Sequence, residues 1–210
     1  MLKIQIESQS IATGKLNGDY MLHQELPNGA TLILLADGMG SLSSPEIASQ
    51  IVCEAISEYF LKAKTSNCTK LIHMSIEFAD KYLAKFCKEN KCKMGVAITL
   101  VYIKAETLFY ASLGDVRLYY KNTQNKINQL TNDHVIIQGK DSFLTSCIRG
   151  RGFRNPILVQ KLPLNIGDSF LLCSDGYYTA QDISSCLNAK DLPNSPLADD
   201  DSSAIRIKVL

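Results

Sequence analysis

Four short acidic segments, each set against an apolar run, constrain the fold of this chain more than any other feature. They are Ala36-Asp37-Gly38-Met39-Gly40, Gly114-Asp115-Val116-Arg117, Ser174-Asp175-Gly176 and Asp199-Asp200-Asp201. Leu32-Ile33-Leu34-Leu35 precedes the first and Phe170-Leu171-Leu172-Cys173 the third. The second lies between Leu108-Phe109-Tyr110 and Leu118-Tyr119-Tyr120, and the fourth precedes Ala204-Ile205-Arg206-Ile207. A carboxylate at a strand end, followed by a glycine that lets backbone approach closely, suits a hard divalent cation and its oxygen ligands. Any one such segment reads equally well as a turn, since Asp and Gly are favoured there. Together they can serve one site only in a fold that gathers distant strand ends at one place.

The rest of the chain is compatible with such a fold. A length of 210 residues suits one domain (1–210) with a buried core. A net charge of +1 gives no global preference for nucleic acid or an anionic membrane. Lys85, Lys88, Lys91 and Lys93 interleave with Glu89, which reads as a solvated helix end and loop rather than a nucleic-acid patch. The seven cysteines are odd in number, show no CxxC spacing and fall partly in apolar periodic stretches, as buried thiols of a reducing compartment do. No window reaches the ~18 apolar residues a membrane span needs, and Met-Leu-Lys-Ile-Gln-Ile-Glu at the start does not resemble a signal peptide. A cytoplasmic protein is expected, and a monomer, because no heptad or long apolar stripe stands out.

Periodicity then orders the elements. Leu2-Ile4-Ile6 alternates as a strand, Met21-Leu22 opens a weaker one, and the continuous apolar run Thr31 to Ala36 predicts a strand buried on both faces. A helix should follow, capped by Ser43 or Ser44, with Pro45 in its first turn and Ile47, Ile51, Ala55, Ile56, Tyr59 and Phe60 on its apolar face. A second is predicted from about Cys68 to Lys88, with Ile72, Ile76, Ala79, Leu83 and Phe86 on its stripe. After Lys93 the text is strand-like: 96–104, 107–113, 116–121, 127–130, 157–162, 168–173 and 203–210. The stretch from Thr131 to Pro156 reads as loop with at most a short helix, and 179–187 as one short helix. Helices in one block among antiparallel-type strands argue for an α+β fold.

In order and spacing, Asp37-Gly38-Met39-Gly40, Gly114-Asp115-x-Arg117, Ser174-Asp175-Gly176 and Asp200-Asp201-x-Ser203 resemble the metal-dependent protein phosphatases of type 2C, in their bacterial form. Asn17-x-Asp19, Met94-Gly95 and Thr131-x-Asp133-His134 add to the match, which runs from about Thr13 to Val209. The resemblance implies a four-layer α-β-β-α sandwich, two antiparallel sheets flanked by helix pairs, with a dinuclear Mg or Mn centre at one end. It implies hydrolysis of phosphoserine or phosphothreonine on a protein, a substrate of some serine/threonine kinase, by a water that the ions activate. By the same resemblance Asp37 bridges the ions, Gly38 lends its carbonyl, Asp175 and Asp200 complete one shell, Asp19 binds through water, and Asp115 helps to hold a third, weaker ion. Asp37, Asp175 and Asp200 are thus the catalytic candidates. Neither a nucleic-acid nor a membrane partner is implied.

The chain departs from the family pattern in three places. Gly14 and Gly18 stand where the family places a phosphate-clamping arginine and an acidic or amide residue. Lys15, or Arg149 of the cluster Arg149, Arg151 and Arg154, is left as the candidate for the phosphate. Thr179 stands where an acidic residue often contributes to the third ion, although Asp182 is near in sequence, and Asp201 replaces a usual asparagine. The segment after Thr131, which forms a flap in the family, is short. These departures keep open a second reading, a catalytically weak regulatory or phosphopeptide-binding module that retains the fold. A phosphatase of small phosphomonoesters is a third. Asp115 and Arg117 could also pair with each other in a tight hairpin, and Asp133-His134 could either fix a loop or pass a proton.

Overall fold

The computed structural model describes residues 2–139, 141–194 and 199–210. Among these residues twelve strands and four helices follow one another in the order β1 (Ile4–Ile11), β2 (Asp19–Glu25), β3 (Thr31–Gly38), α1 (Pro45–Lys62), α2 (Cys68–Asn90), β4 (Val96–Lys104), β5 (Thr107–Leu113) and β6 (Arg117–Lys121). There follow β7 (Ile127–Gln129), β8 (Val135–Gln138), β9 (Asp141–Leu144), β10 (Gln160–Pro163), β11 (Ser169–Cys173), α3 (Asp175–Ala180), α4 (Ile183–Asn188) and β12 (Ser202–Val209). Two five-stranded antiparallel sheets result, ordered β1-β12-β11-β6-β7 and β10-β5-β4-β3-β2, beside a small β8-β9 hairpin.

Three apolar layers hold the sheets and helices together, and strand parity assigns residues to them. Along β3, Leu32, Leu34 and Ala36 pack under α1 and α2, while Ile33 and Leu35 face the other sheet. Both faces are therefore buried, which is why Thr31 to Ala36 carries no polar alternation. On β11, Phe170 and Leu172 join the inter-sheet layer and Leu171 and Cys173 turn toward α3 and α4. On β12, Ile205 and Ile207 point inward and Ala204 outward. The result is the α-β-β-α sandwich that the resemblance implied.

Several local expectations are corrected. Ser44 precedes α1 but makes no side-chain cap; it lies in the left-handed region at φ 46°. The buried face of α1 is the expected one except at its start. Ala55, Ile56 and Phe60 are buried and Ile51 and Tyr59 pack against the core, whereas Ile47 is exposed and Ala48, Ser49 and Val52 are buried in addition. On α2, Ile72, Ile76, Ala79 and Leu83 are buried as the stripe predicts, with Asn67 capping through Lys70 N. The stretch after Thr131, read as loop, contains the β8-β9 hairpin and an isolated bridge between Val96 and Ile148. Its alternation is too short and too polar to stand out from a loop. The single helix expected over 179–187 is two helices, broken at Gln181 and Asp182, where the Asp182 side chain accepts Ser185 N and starts α4. All seven cysteines are free thiols. Among the described residues no helix is long and apolar enough to cross a membrane.

Candidate metal centre

Parity carries the acidic residues to one place. Asp37 follows Ile33 and Leu35 on the inter-sheet face of β3, and Asp19 sits directly opposite it on β2, on the same face as Met21. Asp175 is the first residue of α3, immediately after β11, and Asp200 and Asp201 precede β12, which pairs with β11. Asp115 lies between β5 and β6. A cavity of about 210 Å³ between the sheets is lined by Asp37, Gly38, Asp115, Asp175, Asp200 and Asp201, with Ser41 and Leu144 at its margin. Asp19 sits behind it, 7% exposed.

Two of the glycines in the motifs are there for space rather than for turning. A Cβ on Gly38 would fall 2.1 Å from the carbonyl oxygen of Pro45, and one on Gly176 would fall 2.3 Å from the carbonyl oxygen of Asp201. Gly38 thus lets α1 start against the first acidic segment. Gly176 lets the third and fourth segments touch.

The carboxylates are individually fixed and collectively unneutralised. The Ser174 hydroxyl donates to Asp19 Oδ2 at 2.7 Å and itself accepts from Ser203 N at 3.0 Å. Asp19 Oδ1 is buried with no partner among the described residues. Gly176 N donates to Asp175 Oδ1 at 2.8 Å, and Asp201 N donates to Asp200 Oδ1 at 2.8 Å. Burial, with the charges of Asp175 and Asp201 added, pushes Asp19 up to about 7. Burial, with the negative charge of Asp19, Asp175, Asp115 and Asp200, pushes Asp37 well above the usual carboxylate range. Asp175 is raised by burial and by Asp200, and Asp115 reaches about 6 through burial and Asp175. Among the described residues no Lys, Arg or His lines the cavity.

That arrangement fits hard divalent ions in the chemistry of its donors: carboxylates that repel one another, an orphaned carboxylate oxygen and backbone carbonyls brought close by glycine. Among the described residues no three His, Cys, Asp or Glu side chains form a ready coordination set. The fit is therefore to ions that keep several waters and take few carboxylates each, as Mg²⁺ does.

Other candidate residues are placed elsewhere. Asp201 spends its carboxylate on the loop before β2: Oδ1 accepts Thr13 N and Thr13 Oγ1 at 2.8 and 2.9 Å, and Oδ2 accepts Gly18 N at 2.6 Å. Arg117 does not pair with Asp115. Its guanidinium forks onto Asp133, with Nε at 3.0 Å from Oδ1 and Nη2 at 2.7 Å from Oδ2, and stacks 3.6 Å over the Tyr178 ring. His134 Nδ1 accepts Gly114 N at 3.2 Å, which pins the Gly114 turn. Lys15 is exposed in the loop before β2 and does not line the acidic cavity. Arg149 lines a different cavity with Lys93 and Arg151, because Asp80 holds its backbone against α2. Asp182 is occupied as the α4 cap, and Thr179 Oγ1 donates to the Asp175 carbonyl, so neither supplies a free carboxylate here. Ser174 and Asp133 escaped the sequence reading as site residues. Ser174 stood inside the quoted Ser-Asp-Gly motif, and Asp133 beside His134, but only the fold shows their partners.

Known proteins resemble this chain. The family model described as Protein phosphatase 2C matches residues 8–200. The serine/threonine protein phosphatase PstP of Mycobacterium tuberculosis is 22% identical over 183 residues, an alignment covering 79% of this chain and 35% of PstP. The chain thus spans about a third of the length of the curated relatives it matches. A serine/threonine phosphatase of S. agalactiae superposes with a TM-score of 0.82 at 20% identity, covering 99% of this chain and 100% of that one. The catalytic domain of PstP in complex with two manganese ions superposes with a TM-score of 0.79 at 20% identity, covering each chain fully.

Proposed function

The chain belongs to the protein phosphatase 2C family, and from that premise we propose that it is a metal-dependent protein serine/threonine phosphatase. Its substrates are phosphoserine and phosphothreonine residues of a phosphoprotein, placed there by a serine/threonine kinase, and its metal is Mg²⁺ or Mn²⁺, two ions with Asp115 toward a third. The 210 residues act as a single catalytic domain, monomeric and cytoplasmic, in a signalling role. The observation that carries the reading is the convergence of Asp37, Asp175 and Asp200, from three distant segments, on one cavity between the sheets.

Within that reading Asp37, the Gly38 carbonyl, Asp175 and Asp200 would hold the ions, and Asp19 would bind through water. When bound, the ions would supply a water of lowered pKa for attack on phosphorus and offset charge on the phosphoryl oxygens. The chain's own residues set the stage for this. Ser174 fixes one oxygen of Asp19, while the other is buried with no partner among the described residues. Gly176 N and Asp201 N do the same for Asp175 and Asp200. Asp201 ties the 13–18 loop to the mouth of the cavity. His134 has Nδ1 engaged, so it could pass a proton only from Nε2. Manganese-stimulated hydrolysis of a phosphothreonine peptide, lost in Asp37→Asn and Asp175→Asn, is the expected result. Absence of turnover with either metal on any phosphopeptide would remove the reading.

One observation favours a second reading, a catalytically weak phosphopeptide-binding module: among the described residues no cationic side chain lines the acidic cavity to clamp a phosphate. Calorimetry separates the two, since such a module would bind phosphopeptide without tight manganese binding or turnover.

A further inference from the structure

The strand that enters β4 lies between the acidic centre and a basic rim. On one side Met39 N donates to Gly95 O at 2.9 Å and Ser43 N to Lys93 O at 3.0 Å, so the loop that follows Asp37 is bound to residues 93–95. On the other side Val96 and Ile148 exchange both backbone bonds at 2.9 Å, which sets Arg149 and Arg151 beside Lys93. The depressions along this edge are continuous. The acidic cavity shares Ser41 with a shallow one that reaches Lys91 and Lys93, and this shares Cys92 and Lys93 with a third that reaches Arg149 and Arg151.

Four cations on this edge are exposed and uncommitted. Lys91, Lys93, Arg149 and Arg151 are all exposed, and among the described residues no carboxylate pairs with any of them. Glu89, the nearest acid in sequence, is turned to Lys85 at 4.0 Å. Their backbone is nevertheless fixed. Lys91 ends α2 in the left-handed region at φ 50°, and buried Asp80 accepts the Arg149 and Gly150 N–H groups at 3.1 and 2.7 Å and Gly152 N at 2.8 Å. Like charges presented from rigid backbone without counter-charges raise the local positive potential and favour an anionic partner.

We propose that Lys91, Lys93, Arg149 and Arg151 form a docking track for acidic residues flanking the phosphorylated residue of the substrate protein. The proposal rests on the phosphatase reading above and sharpens it from any phosphoprotein to phosphoproteins with an acidic flank. A peptide is favoured over a nucleic acid because the track runs out of the acidic cavity through Ser41 and the chain as a whole is close to neutral, at +1. Arg149 thereby moves from contacting the phosphate itself to contacting its surroundings.

The test uses phosphothreonine peptides of equal length whose flank is aspartate-rich, neutral or lysine-rich, turned over by the manganese-loaded protein. The acidic peptide should exceed the neutral one in kcat/KM by roughly tenfold or more through a lower KM, the sum of several exposed charge contacts. The advantage should shrink at roughly 0.5 M salt, where such charges are screened. In the Lys91→Glu, Lys93→Glu, Arg151→Glu variant the order of acidic and basic peptides should invert, with circular dichroism reporting that it folds. Anisotropy of a labelled, unphosphorylated acidic peptide reads the track without turnover. Tight binding lost in the variant supports the track even if no peptide is hydrolysed, an outcome that would instead remove the phosphatase reading. Equal kcat/KM for all three peptides, an unchanged order in the variant, or displacement of the peptide by a short RNA at lower concentration than by the acidic peptide would each overturn it.

Discussion

At one end of the sandwich Asp19, Asp37, Asp115, Asp175 and Asp200 crowd together around a cavity with no cationic side chain among the described residues, whereas Glu7, Asp80 and Asp133 are each surrounded by donors. Glu7 meets the fully buried Arg206 and also Lys208, 3.1 Å away. Asp80 accepts three backbone N–H groups, and Asp133 a guanidinium fork. A buried carboxylate normally costs free energy unless it is paired and hydrogen-bonded. The answered carboxylates therefore fasten parts of the chain together. The unanswered ones persist against their own repulsion, which is the signature of a site completed from outside the chain.

The comparison can be broken at either end. The largest effect should come from the answered side. Arg206→Ala leaves Glu7 to Lys208 alone as ion-pair partner and the Cys186 and Ala189 carbonyls without their side-chain donor, and should cost about 3–5 kcal/mol in urea unfolding. Manganese affinity of the folded fraction should hardly change. Next, Asp37→Asn should lower phosphopeptide turnover by roughly a hundredfold or more, about 2.7 kcal/mol at the transition state. Because it relieves like-charge repulsion, the same change should raise the melting temperature of the metal-free protein. If it melts lower instead, the carboxylates are not in conflict. Gly176→Ala should push the Asp200–Asp201 segment away from α3 and weaken manganese binding by roughly tenfold, read by calorimetry, since positioning contacts of this kind typically carry that much.

In the pH dependence the two regions should differ in sign. Asp19 is raised from its ordinary 3.8 to about 7, so its contribution is fully present below about 4 and is lost as pH climbs through about 7. Burial pushes Glu7 up, but its bonds to Arg206 and Lys208 outweigh that and hold it below its ordinary 4.5. Its contribution is present above that value and is lost as pH falls through the lowered one. Unfolding of the metal-free protein from about pH 2 to 8 should thus lose its decline between about pH 4 and 7 in Asp19→Asn. In Glu7→Gln it should flatten only on the acid side.

The architecture was legible where burial leaves a pattern. The unbroken run Leu32 to Ala36 announced a two-faced strand, and the stripe of α2 fell where its spacing put it. The four acidic segments could be found from local text, because each pairs an apolar run with Asp and Gly. The partners of those residues could not. Arg117 reaches Asp133, sixteen positions away, and Asp19 reaches Ser174 across 155, and nothing in the spacing selects either. That Ala48 and Ser49 are buried at the start of α1 and Ile47 is not depends likewise on where the fold sets the helix. Lys15 stands one residue from the position at which the family places its arginine and Arg149 in a basic cluster, and neither says in which direction a loop carries its charge.

The centre itself is tested most directly by anomalous diffraction at the manganese edge from manganese-soaked crystals. Two peaks inside the cavity, bounded by Asp37, Gly38, Asp175 and Asp200, are the predicted result. An empty cavity at saturating manganese, or ions bound only at surface carboxylates, would contradict the account.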